Sequence, residues 1–161
     1  MVQGGWLDWQ CWRAMEGHPV SPPKLVLAID DEPEILEIIK QCLEMEGFQV
    51  LTALGPKQGL KLYEERGPEI GVVLLDYLMP DMTGDLVFDC LRGKNPDARV
   101  ILLTGCEDTV ARKMFEAGLR GFLQKPFYLD DLVNRVREEL NQDGSHRSWS
   151  TNPLERPREC D

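Results

Sequence analysis

The chain has 161 residues, of which 42% are hydrophobic and 29% charged, and its formal net charge is −10. That balance excludes a disordered chain and describes one domain with a core of ordinary size plus short appendages. The acidic excess argues against a nucleic-acid-binding surface, which needs basic groups to displace counterions, and no apolar run reaches the ~20 residues of a membrane span.

From residue 24 to 141 the pattern alternates regularly between strand and helix. "KLVLAI" is a β-type run, and a helical pattern follows over 33–46, with Ile35, Ile38, Ile39, Cys42 and Leu43 on one face and Gly47 closing it. "FQVLTAL" is a second strand. "GPKQGLKLYEERG" is a poorer helix, weakened by Gly59 and closed by Gly67. "IGVVLL" is a third strand, apolar on both faces as a central parallel strand requires. "DLVFDCLRG" is a short helix, "ARVILLT" a fourth strand, "EDTVARKMFEAG" a helix ending in Gly118, and "GFLQ" a short fifth strand. "YLDDLVNRVREELN" is the last helix, with Leu129, Leu132, Val133, Val136 and Leu140 at helical spacing. Five βα units in series predict an α/β fold, a doubly wound parallel sheet covered by helices on both faces. Right-handed crossovers then bring every strand's C-terminal end to one edge, where such sheets bind ligands.

The strand ends carry an unusual set. "LAIDDEPEIL" runs the first strand into Asp30 and Asp31; the third strand ends in Asp76, the fourth in Thr104, and Lys125-Pro126 follow the fifth. Helix N-termini welcome acids, and Pro33 suits a first helical turn, but that does not account for two carboxylates crowded against a buried strand. Three carboxylates, a hydroxyl and an ammonium on one edge fit phosphoryl transfer. Grouped carboxylates hold a hard cation, Mg²⁺ foremost, and one carboxylate can be the nucleophile that forms an aspartyl phosphate. No GxxxxGK[ST] loop, no GxGxxG after the first strand and no DxD after the third is present, and His18 and His146 lie outside the periodic region.

Four segments in order, "DDEP", "LLDYLMPDMTG" (the form D-x-x-M-P-x-M-x-G), "ILLTG" and "GFLQKPF", resemble the receiver domain of two-component response regulators. The resemblance implies a flavodoxin-like sheet of strand order 2-1-3-4-5. It also implies that Asp76 accepts a phosphoryl group from a histidine kinase or histidine phosphotransfer protein. Asp31 and Asp76 would ligate Mg²⁺ directly, Asp30 through water, with the backbone carbonyl of Leu78 completing the shell. Lys125 would pair with the acids and then the phosphate, Thr104 would hydrogen-bond the phosphoryl group, and Phe122 would be an aromatic switch following the threonine inward. Lys125-Pro126 would be a cis peptide. Plain alternatives stand beside these roles: Thr104 as a strand residue bonding its own turn, and Phe122 as ordinary core. Gly105 leaves space beside the site.

Residues 1–23 form an extension containing "WLDWQCW", with Trp6, Trp9 and Trp12 at every third position, and 142–161 a polar tail too short to fold alone. The N-terminus lacks the basic flank and apolar run of a signal peptide. Cys11, Cys42, Cys90, Cys106 and Cys160 form no CxxC pair, and three lie in apolar patterns, which reads as small core residues in a reducing compartment, the cytoplasm. The expected function is a phosphoacceptor module without turnover of a separate substrate, either stand-alone or part of a hybrid sensor kinase. Its downstream partner would be a protein, not nucleic acid or membrane, and the chain a monomer or weak dimer. The alternative is an interaction scaffold that keeps the fold and works without phosphorylation.

Overall fold

The structure, a computed structural model, describes residues 25–105 and 108–141. The strands are β1 (Leu25–Asp30), β2 (Gln49–Leu54), β3 (Ile70–Asp76), β4 (Val100–Thr104) and β5 (Gly121–Gln124). Between and after them come α1 (Pro33–Met45), α2 (Pro56–Arg66), a 3₁₀ turn (Gly67–Glu69), α3 (Gly84–Lys94), α4 (Asp108–Glu116) and α5 (Leu129–Leu140). All strand pairs are parallel, in the order β2-β1-β3-β4-β5. The doubly wound α/β fold expected from the βα alternation is therefore the fold observed. The Trp-bearing extension 1–23, the tail 142–161, both histidines, Cys11, Cys106 and Cys160 lie outside the described residues. No described helix is long and apolar enough to cross a membrane.

Strand alternation divides the core in two. Leu27, Ile29, Val73, Leu75, Val100 and Leu102 face one layer, against Tyr63 of α2, Val87, Phe88 and Leu91 of α3 and Met114 of α4. Val26, Ala28, Val72, Leu74, Ile101 and Leu103 face the other, against Leu36, Ile39 and Leu43 of α1 and Leu132, Val133, Val136 and Leu140 of α5. Each fully buried aliphatic side chain contributes about 1.5–3 kcal/mol relative to exposure, so the central strands β1, β3 and β4 anchor the sheet. Their buried ends are where the acids and Thr104 sit.

Several local expectations need correction. The buried face of α1 is Leu36, Ile39 and Leu43; Ile38, expected inside, is 48% exposed, because it lies about 200° round the helix from Leu36. Leu129, at the first position of α5, is also exposed. Cys90 is exposed and Cys42 half-buried, so neither is a sealed core thiol. Gly59, read as a helix weakness, is buried and lets α2 approach β1: a Cβ there would meet Ile29 Cδ1 at 2.5 Å. The low helix propensity of glycine is offset by this close approach.

Candidate functional site

Asp30 and Asp76 end neighbouring strands and are 0% and 4% exposed. Asp31, one residue past β1, is half-buried. One carboxylate oxygen from each of Asp30, Asp31 and Asp76 lies within 4.8 Å of the others. Such crowding is tolerable only with positive charge among them, and Lys125 supplies it. Its Nζ donates to Asp76 Oδ1 at 2.8 Å and to Asp30 Oδ2 at 3.2 Å. The backbone amide of Glu32 donates to Asp30 Oδ1 at 2.9 Å, so both oxygens of Asp30 already accept hydrogen bonds. Glu32 is the N-cap of α1 and Pro33 occupies its first turn, as the sequence suggests, but the Glu32 side chain makes no capping hydrogen bond. Asp30 thus meets the helix only at the amide of its N-cap residue, and its other oxygen turns to Lys125.

The donors fit a small hard cation: three clustered carboxylates, one of them half-exposed, offer the oxygen set such ions prefer. With both oxygens engaged, Asp30 is the least suited of the three to direct ligation. Leu78 lies two residues beyond Asp76 with its side chain 67% exposed, while the next residue, Met79, turns into the core. The loop 77–83 is tied at both ends, since Tyr77 N donates to Leu103 O at 2.9 Å and Gly84 N to Tyr77 O at 2.8 Å.

Thr104 is buried at the end of β4, and its carbonyl accepts the Lys125 amide at 2.7 Å. This bond and the β4–β5 register, Thr104 opposite Gln124, deliver Lys125 to the acids. The Lys125–Pro126 peptide is cis, as expected. Phe122 is half-buried and packs edge-on against Phe115 of α4, with ring centroids 5.7 Å apart and planes at 66°. It lies at the margin of the core rather than within it. Asp30, Asp31, Asp76, Thr104 and Lys125 all converge on one edge of the sheet. The amide of Glu32, the ring of Phe115 and the loop-closing amide of Gly84 were missed by sequence reasoning; only Gly84 carried a signal, as the last residue of "DYLMPDMTG".

Charge sets the protonation of the pair. Burial pushes the Asp76 carboxyl up, the nearby Asp30 and Asp31 push the same way, and the hydrogen bond and charge of Lys125 pull back without cancelling the rise. Burial works against the Lys125 ammonium, but its bond to Asp76 and the charges of Asp76 and Asp30 outweigh it and raise its pKa. Lys125 therefore contributes stability that is full below its ordinary pKa of about 10.4 and is lost as pH rises through its folded value. Lys125→Met is expected to cost about 3 kcal/mol at pH 7, the low end for breaking a buried pair, since its side chain is 26% exposed. Urea melts in EDTA should show that the wild-type advantage shrinks at alkaline pH; an advantage independent of pH would contradict the pairing.

Comparison with known proteins agrees with this geometry. The response regulator receiver domain profile matches residues 26–137. The chain is 35% identical over 135 residues to the probable transcriptional regulatory protein TcrX of Mycobacterium tuberculosis, covering 82% of this chain and 54% of that protein. It is 34% identical over 124 residues to the sensor kinase CckA of Brucella abortus, covering 76% of this chain and 13% of that one. A crystal structure of a response regulator receiver domain protein from Clostridium thermocellum superposes with a TM-score of 0.70 at 35% identity, covering 73% of this chain and 94% of that one. The chain spans about half the length of TcrX and a small part of CckA. Matched along most of its length, and folded with the strand order its motifs imply, the chain belongs to the response regulator receiver domain family of two-component signalling.

Proposed function

We infer that Asp76 is the phosphoacceptor of a phosphorelay and that phosphorylation switches a protein-binding surface. The observation that carries this reading is Lys125 Nζ bridging Asp76 and Asp30 inside a three-carboxylate cluster, with Thr104 at the adjacent strand end. In the proposed step a carboxylate oxygen of Asp76 attacks the phosphorus of a phosphohistidine. The P–N bond breaks, and its electron pair leaves with the imidazole nitrogen of the kinase or phosphotransfer protein. Lys125 then donates to a phosphoryl oxygen, and the Thr104 hydroxyl to another. Asp31, Asp76 and the Leu78 carbonyl would hold Mg²⁺, with Asp30 acting through water. When bound, the ion supplies charge neutralisation for the transferring group. The aspartyl phosphate is then lost by hydrolysis, so the chain acts as an acceptor and not as an enzyme for a separate substrate.

We propose a protein as effector, a reading supported by the net charge of −10. The transcriptional role in the name of TcrX belongs to that protein, of which this chain matches 54%. Unbridged thiols at Cys42 and Cys90 support a reducing, cytoplasmic setting. The scaffold alternative has no observation in its favour, because crowded acids are a burden that a docking module has no reason to keep.

Incubation with a small phosphodonor and Mg²⁺, followed by intact mass measurement, tests the reading: one phosphoryl group is expected, and none without the metal. Mg²⁺ should also stabilise the fold, by ~2.7 kcal/mol at a hundredfold excess over its dissociation constant. A melting curve that millimolar Mg²⁺ leaves unmoved, or that Asp31→Ala leaves equally responsive, would remove the metal from the account.

A further inference from the structure

Gly84 opens α3 and lies directly against the acceptor residue. A Cβ built at this position would sit 2.9 Å from the carbonyl oxygen of Asp76, 2.9 Å from Tyr77 Cα and 3.2 Å from Leu102 Cδ1. Two of these neighbours are backbone, so no side-chain rotation can relieve the contact. The Asp76–Tyr77 peptide is also held on its other side, where Tyr77 N donates to Leu103 O at 2.9 Å. It is therefore clamped between β4 and the bare Cα of Gly84, and the Gly84 amide closes the loop by donating to Tyr77 O at 2.8 Å.

We propose that Gly84 is a positioning residue for phosphoryl transfer: its missing side chain fixes the peptide that carries Asp76 and starts the loop presenting the Leu78 carbonyl. A side chain at 84 can be accommodated in two ways. Either α3 retreats, or the peptide moves. Retreat would uncover Val87, Phe88 and Leu91, all at most 1% exposed, whereas movement of the peptide is resisted chiefly by the bond to Leu103. The peptide is the part that yields. Asp76 then shifts relative to Lys125 Nζ, which lies 2.8 Å from its Oδ1, and relative to Asp31. Gly59 makes a useful contrast, because the nearest atoms a Cβ would meet there all belong to the Ile29 side chain, not to backbone.

This inference rests on the reading of Asp76 as acceptor, and the experiment separates the two. Wild type, Gly84→Ala and Val87→Ala are compared, with labelling run at a temperature below all three melts. Mg²⁺ affinity is read from melting at graded Mg²⁺, and the labelling rate from intact mass with a small phosphodonor. Gly84→Ala should weaken Mg²⁺ binding and slow labelling by about tenfold or more, since misplacement of a reacting group by ~1 Å can cost about a hundredfold. Val87→Ala, which loosens the same helix without touching the acceptor, should melt lower yet keep both values. A Gly84→Ala protein that only melts lower overturns the positioning role. Wild type that takes no label overturns the acceptor reading itself. Should Gly84→Ala fail to fold, amide exchange in the wild type decides: the Gly84 and Tyr77 amides should be protected like those of β3, and fast exchange at Gly84 would refute the clamp.

Discussion

Asp76→Asn is expected to abolish phosphoryl incorporation while making the metal-free protein more stable at pH 7. The loss of label follows from removing the only carboxylate among the described residues that ends the central strand and touches Lys125 at 2.8 Å. The gain in stability follows from the direction of its pKa. Burial first, and then Asp30 and Asp31, raise it in the folded state against the pull of Lys125. A carboxyl with a raised folded pKa lends its full stability only below the unfolded value of about 3.9, and loses it as pH rises through the folded value. At pH 7 the ionised group therefore sits in the fold at a cost, and the neutral amide removes that cost while keeping the shape. Chemical denaturation in EDTA should show Asp76→Asn above wild type at pH 7, the difference closing as pH falls. The same variant should lose most of the stabilisation by Mg²⁺. Near-normal labelling of Asp76→Asn would move the acceptor elsewhere, and a less stable variant at pH 7 would mean that the Lys125 bond outweighs the repulsion.

Beryllofluoride with Mg²⁺, as a phosphoryl mimic, is expected to change amide exchange in 108–118 and 128–137 more than in 33–46. The path is built into the packing. Thr104 sits opposite Gln124 in the β4–β5 register, and Leu102 opposite Phe122. Phe122 packs edge-on against Phe115 of α4, and the Lys125 amide is bound to the Thr104 carbonyl just before the chain enters α5. A pull on Thr104 towards Asp76 thus reaches both helices through direct contacts, while α1, which shares its face of the sheet with α5, packs against β1 and β2, away from β4 and β5. Close-packed interiors favour discrete alternatives, so the response should be a population shift with a coupling of ~1–3 kcal/mol, roughly 5–150-fold in exchange. Thr104→Ala should still be labelled at Asp76 but lose the exchange response. Equal changes in all helices, or changes confined to α1, would place the output on another face.

The sequence by itself determined the order and type of the elements, because apolar periodicity and glycine punctuation are local signals that each βα unit carries alone. It also determined which residues end the strands, since parallel strands joined by right-handed crossovers must present their C-terminal ends together. Asp30, Asp31, Asp76, Thr104 and Lys125 were legible for that reason, and the motif order named their family. Tertiary structure decided what periodicity leaves undetermined. It chose Leu36 over Ile38 for the core, because the centre of a helical face depends on how the helix sits on its sheet. It left Cys90 in solvent, and it turned Gly59 from a flaw in a helix into the contact that lets α2 meet Ile29. It placed Phe122 at the margin against Phe115, a pairing between residues of β5 and α4 that no local pattern encodes. The hold of Glu32 on Asp30 and the clamp of Gly84 on the Asp76 peptide belong to the same class. Each joins a residue whose identity the sequence names to a backbone group whose position it does not: the Glu32 amide meets Asp30 Oδ1, and the bare Cα of Gly84 meets the Asp76–Tyr77 peptide.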